Sequence, residues 1–188
     1  MIKEDIMTQS KLSVQEICSV ALCTAIMVIM AQISIPMPLG VPMTMQTFAV
    51  TLAAVVLGAK KGALATLVYI LLGAAGLPVL AGFTGGIQYF AGPTGGFLIS
   101  FPVMALIIGL GVDRFKNVKG GFVLCLIVGT AVNYFIGVVM FCILMDSSVM
   151  TAVSACVLPF IPTAVIKAVL ASVIGLKIRG RLGALVCA

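Results

Sequence analysis

Lys167 is the residue on which any chemistry in this chain would turn. It lies in the apolar run 157–176, which holds no other charge. At the centre of a lipid-facing helix a lysine costs roughly 2.5–3.5 kcal/mol, so such a residue marks a cavity or a partner by default. Pro159 and Pro162 mark the start of its helix, where proline is tolerated. The five residues from Pro162 to Lys167 rise roughly 7.5 Å. The ammonium therefore sits one to two turns inside, near the positive end of the helix dipole. Both charges favour an anion. The competing reading is a lysine that snorkels to nearby lipid headgroups. Asn133, mid-way along another apolar run, is a second polar group to place. It serves either a ligand or a hydrogen bond between helices.

Other chemistries find few residues. The chain has no His, and its six cysteines (Cys18, Cys23, Cys125, Cys142, Cys156, Cys187) form no C-x-x-C pair. No metal site is expected, and cysteine reads as a small apolar residue of helices. No G-x-x-x-x-G-K-[ST] phosphate loop is present, so ATP would have to act through another subunit. Asp113 and Asp146 fall at span ends, which leaves no intramembrane carboxylate for ion coupling. A Ser or Thr nucleophile would lack a recognisable base.

The elements that must position Lys167 are membrane helices. Hydrophobic residues make up 62% and charged residues 9%, with a mean hydropathy of +1.31. Soluble domains carry about 25% charged residues, so this chain reads as an all-α integral membrane protein with a single domain, 1–188. Six transmembrane segments are expected at about 14–33, 47–59, 62–76, 95–112, 120–145 and 155–177. The second and third are short for a hydrocarbon core of ~30 Å. The first reads as a span rather than a removed secretory peptide.

The connections are of two kinds. Lys3 and Lys11, the turn Lys60-Lys61, the loop with Arg114, Lys116 and Lys119, and the tail with Lys177, Arg179 and Arg181 are basic. Loops 34–46, 77–94 and 146–154 have no Lys or Arg. The kinds alternate, and the one basic residue left over is Lys167. By the positive-inside rule both termini are cytoplasmic. The net charge of +6 then belongs to a face beside anionic lipid and requires no nucleic acid.

The first two outer loops are apolar as well as rich in Gly, Pro and Thr. Irregular backbone at membrane depth survives only when buried in protein or lining a cavity. Loops 34–46 and 77–94 are therefore expected to fold into the outer mouth as a ligand lid. Ordinary turns at helix ends are the competing reading.

Three stretches carry a resemblance. Pro42-Met43-Thr44-Met45-Gln46-Thr47-Phe48, then Leu71-Leu72-Gly73-Ala74-Ala75-Gly76-Leu77-Pro78-Val79, then Gly92-Pro93-Thr94-Gly95-Gly96-Phe97 resemble the BioY family. Its members are the biotin-binding S components of energy-coupling factor (ECF) transporters. The resemblance covers roughly Leu12 to Lys177. It implies a prokaryotic cell-membrane protein, not an enzyme, with no cofactor of its own. It captures biotin outside and works with a transmembrane coupling subunit and two ATPase subunits. It also implies that Ala21-x-x-x-Ala25 docks the coupling subunit, since alanines four apart let a second helix approach closely. Ala49-x-x-x-Ala53 has the same spacing, and internal packing is the competing reading for both.

The family places an acid three positions before its last-helix lysine, where this chain has Ala164. Lys167 would then lack a carboxylate partner. Under this resemblance, Lys167 meets the carboxylate or the ureido carbonyl of biotin. Thr44, Gln46, Thr47, Thr84 and Tyr89 supply hydrogen bonds, Phe97 packs on the ring system, and Asn133 lies near. The alternatives are a solitary vitamin transporter or facilitator and, less in keeping with the residues, a membrane enzyme or assembly factor.

Overall fold

The structure is a computed structural model and describes residues 13–37, 40–115, 118 and 120–186. Lys3, Lys11, Lys116, Lys119 and Cys187 lie outside the described residues. Among the described residues seven α-helices follow in order: α1 Val14–Gln32, α2 Gln46–Leu57, α3 Ala59–Ala74, α4 Gly95–Arg114, α5 Gly121–Met145, α6 Val149–Cys156 and α7 Ile161–Val186. Four of them, α1, α4, α5 and α7, are long and apolar enough to cross a membrane.

Helix α1 starts on a capping box in which Ser13 and Glu16 exchange side-chain and backbone hydrogen bonds. Glu16 also pairs with Lys61 of α3 at 2.6 Å. Helix α2 has 12 residues and is roughly 18 Å long. It manages this shortness by lying inside the bundle. Val50, Ala53, Ala54 and Val55 are each at most 1% exposed, and α1, α3, α4 and α7 all pack on it. A helix sheathed by other helices does not itself have to match the bilayer.

The corner between α2 and α3 is a single residue, Gly58, at φ +81°. Only glycine adopts that conformation at little cost. Lys60 and Lys61 are thus not a turn, as expected, but lie in the first turn of α3. Asp113 of α4 accepts a hydrogen bond from the backbone N–H of Ala59 at 2.8 Å. It also pairs with Arg179 of α7 at 2.6 Å. Arg179 in turn donates to the carbonyl of Val55. Four helices are tied together at this end.

The opposite end differs from the sequence reading in one element. The stretch 146–154, expected as a loop, contains most of α6. Ser148 caps it, accepting from the backbone N–H of Thr151 at 3.2 Å. Pro159 cannot donate to a helix and disfavours helical backbone at Leu158. The segment expected at 155–177 is therefore divided, and α7 begins only at Ile161, with Pro162 in its first turn. A two-residue antiparallel ribbon, β1 Ser34–Ile35 with β2 Met43–Thr44, closes the first loop in the register Ser34↔Thr44. In the second loop, Ile87–Ala91 forms a 3-10 turn.

Replacing Asp113 by Ala removes both the α3 cap and the Arg179 pair. Thermal unfolding in detergent is expected to show a loss of about 1–2 kcal/mol. Replacing Lys61 by Ala, which breaks only an exposed pair, should stay within about 0.5 kcal/mol.

Candidate ligand-binding site

A cavity of about 410 Å³ opens between loops 34–46 and 77–94 and the ends of α2, α4 and α7. That is a size suited to a small metabolite. Thr44 reaches it from β2, and Gln46 and Thr47 from the first turn of α2. Thr84 and Tyr89 come from the second loop, Phe97 from α4, Asn133 from α5 and Lys167 from α7. All eight residues singled out as ligand contacts therefore line one space.

Lys167 is partly buried and donates to the backbone carbonyl of Thr44 at 2.7 Å. From Thr44 a hydrogen-bonded chain runs onward. The Thr44 hydroxyl donates to Gln46 Oε1 at 2.9 Å. Gln46 Nε2 donates to the Tyr69 hydroxyl at 2.7 Å. Tyr69 donates to the carbonyl of Val79 at 3.0 Å. One relay thus joins α7, the first loop, α2, α3 and the second loop. Tyr69 is fully buried, so the Gln46–Tyr69 link operates where an unmade hydrogen bond is expensive.

A second tie comes from α1. Gln32 Nε2 lies 3.2 Å from the carbonyl of Leu80 and 3.4 Å from that of Val79. Its Oε1 accepts from the N–H of Phe83 at 2.7 Å. Phe83 holds a positive φ of 57°, a conformation costly for a bulky side chain. Gly86, at φ +114°, donates to the carbonyl of Gly73 at 2.7 Å. The second loop is thereby pinned over the cavity by α1 and α3.

The remaining walls are positioned by close helix contact. A Cβ on Gly137 of α5 would collide with the Phe97 ring, so glycine there seats the aromatic wall. Tyr134 meets Phe97 edge to face at 6.3 Å and 81°. Asn133 is 1% exposed, and its Nδ2 donates to the Ser100 hydroxyl at 2.7 Å and to the Phe97 carbonyl at 3.1 Å. Its amide nitrogen thus bonds helix to helix while the residue also lines the cavity. The Thr84 hydroxyl is used within its own loop, donating to the Ala81 carbonyl.

Sequence reasoning missed Tyr69, Gln32, Tyr134, Phe160 and the thiol-bearing wall residue Cys156. A tyrosine inside the apolar third segment and a glutamine closing the first span were the available signals. The two alanine pairs separate clearly. Ala49 and Ala53 are each 1% exposed and serve internal packing. Ala21 and Ala25 are exposed on the outer side of α1. Among the described residues no group of three or more His, Cys, Asp or Glu could hold a metal ion.

Comparison with known proteins gives a consistent picture. A sequence profile described as the BioY family matches residues 7–184. A probable biotin transporter BioY from Pyrococcus horikoshii is 39% identical over 88% of this chain and 97% of its own length. The biotin transporter BioY of Thermotoga maritima is 38% identical over 88% of this chain and 96% of its own. The crystal structure of the S component for biotin from an ECF-type ABC transporter superposes with a TM-score of 0.80. It shares 29% identity and covers 89% of this chain and 92% of that one. These relatives and the apolar helices mark a multi-pass membrane protein.

Tyr69→Phe would leave Gln46 Nε2 without its partner and the Val79 carbonyl with only the long contact from Gln32 Nε2. It is expected to cost about 1–3 kcal/mol, read as a lower melting temperature in detergent. An unchanged melting temperature would show that the relay does not hold the loops.

Proposed function

The chain belongs to the BioY family, and on that premise we propose that it captures biotin at the outer side of a prokaryotic cell membrane and delivers it through an ECF-type importer. It is a transport protein rather than an enzyme. The energy comes from ATP hydrolysed by two partner ATPase subunits, passed on by a transmembrane coupling subunit. The observation that carries the reading is the cavity itself, which gathers one cation and several neutral polar groups from five different elements within apolar walls.

The eight lining residues bind the vitamin. Thr44, Gln46, Thr47, Thr84 and Tyr89 meet its polar atoms, Phe97 packs on the ring system, and Asn133 and Lys167 form the deep polar wall. Biotin needs no cofactor for this, because capture involves no bond making. Six membrane segments with both termini cytoplasmic complete the proposal. In its support, Arg114 and Arg179 stand at the end of the bundle away from Lys167, and no Lys or Arg occurs in 34–46 or 77–94. The exposed Ala21 and Ala25 are the proposed seat for a helix of the coupling subunit.

Lys167→Ala is expected to raise the dissociation constant for biotin at least about 30-fold, the loss typical of removing one partner of a partly buried charged contact. Equilibrium binding to the purified chain measures this, with the melting temperature of ligand-free protein as control. Binding as tight as the parent's would remove Lys167 from the site. Uptake of labelled biotin separates the carrier types. Cells with the coupling and ATPase subunits should accumulate it, whereas accumulation by this chain alone would indicate a solitary transporter.

A further inference from the structure

We infer that Ala164 is a specificity-determining residue: by leaving Lys167 without a counter-ion, it makes the ligand's own carboxylate the partner of that lysine, so the anionic end of the ligand seats inward. This rests on the reading of the cavity as the biotin site.

Three observations carry it. First, Lys167 has three N–H donors, and the structure gives it one partner, the neutral carbonyl of Thr44. The ion pairs found are Glu16–Lys61 and Asp113–Arg179. Among the described residues no carboxylate lies within ion-pair reach of Lys167. Second, Ala164 opens a recess of about 10 Å³ beside the lysine, bounded by Thr51, Thr130 and Asn133 as well as Lys167. These neighbours are neutral. The Thr130 hydroxyl is already used on Leu126, and the Asn133 amide nitrogen on Phe97 and Ser100. None of them neutralises the ammonium. Third, the lining of the main cavity holds no other charged residue, and loops 34–46 and 77–94 hold no Lys or Arg.

A carboxylate facing the loops would therefore find no cation there. The ureido group of biotin is neutral; the Tyr89 hydroxyl can donate to its carbonyl, and the oxygens of Thr84 and Gln88, whose donors are used within the loop, can accept from its N–H groups. A desolvated cation attracts an anion far more strongly than it attracts a carbonyl dipole. The carboxylate is thus the group that gains from the inner position. An acid at 164 would stand one helical turn from Lys167, within reach for an intrahelical pair, and would take that role from the ligand.

The test compares biotin with its neutral amide, biotinamide, by competition binding to the purified full-length chain. The parent should bind biotin about tenfold or more tightly than biotinamide, the usual worth of a hydrogen bond to a charged group. Lys167→Gln and Ala164→Asp should each bind the two ligands within about threefold of one another. Equal binding of both ligands by the parent would overturn the inference, as would full discrimination retained by Lys167→Gln. Should Ala164→Asp fail to fold, Lys167→Gln alone decides between these results. If the parent binds neither ligand, the capture reading fails, and the inference falls with it for that separate reason.

Discussion

The hydrogen bond from Lys167 to the carbonyl of Thr44 ties α7 to the first loop at the mouth of the cavity. Its two residues are 123 positions apart. A lysine within a membrane helix is tolerable only if something polar meets it. Here the partner is backbone from a short ribbon, and that ribbon exists because the first loop folds inward instead of out into water. From Thr44 a chain of hydrogen bonds passes through Gln46 and Tyr69 to Val79, so the ribbon that meets the ammonium is also linked to the second loop. The neutral partner leaves the charge uncompensated. The cavity is consequently pre-shaped and electrostatically incomplete, which suits capture of a ligand.

Helix α7 links the two ends of the bundle. Lys167 stands near its start, beside loops 34–46 and 77–94. Arg179, three turns further along, pairs with Asp113 beside the α2–α3 corner. Between them α7 packs on α2, where Ala171 is fully buried and Gly175 lies close against Val55. The end beside Arg179 is closed by an ion pair and a cap. The end beside Lys167 is closed by loops 34–46 and 77–94 over the cavity. The ion pair and the cavity thus stand at opposite ends of one helix.

Much of the lining of the cavity was legible in the sequence for a simple reason. A lone charge in an apolar run, and loops too apolar for water yet too rich in Gly and Pro for helix, are departures from membrane chemistry that a buried cavity accommodates. Thr44, Gln46, Phe97 and Lys167 stood out on those grounds or through the family resemblance. The relay did not stand out, because Tyr69 and Gln32 are ordinary residues whose roles arise only when α3 and α1 meet the second loop. Helix α6 was hidden because eight residues are too few to show a period. Ala21-x-x-x-Ala25 and Ala49-x-x-x-Ala53 are identical as patterns, and only the packing of α2 at the centre of the bundle tells them apart.

Biotin is proposed to fill the space between Lys167 and loops 34–46 and 77–94. The most direct measurement is an experimental structure of the chain with biotin bound. The ligand is expected inside the 410 Å³ cavity, against Phe97, with an oxygen within hydrogen-bond distance of Lys167 Nζ. Biotin bound elsewhere, or in the cavity with Lys167 still held by Thr44 alone, would contradict it.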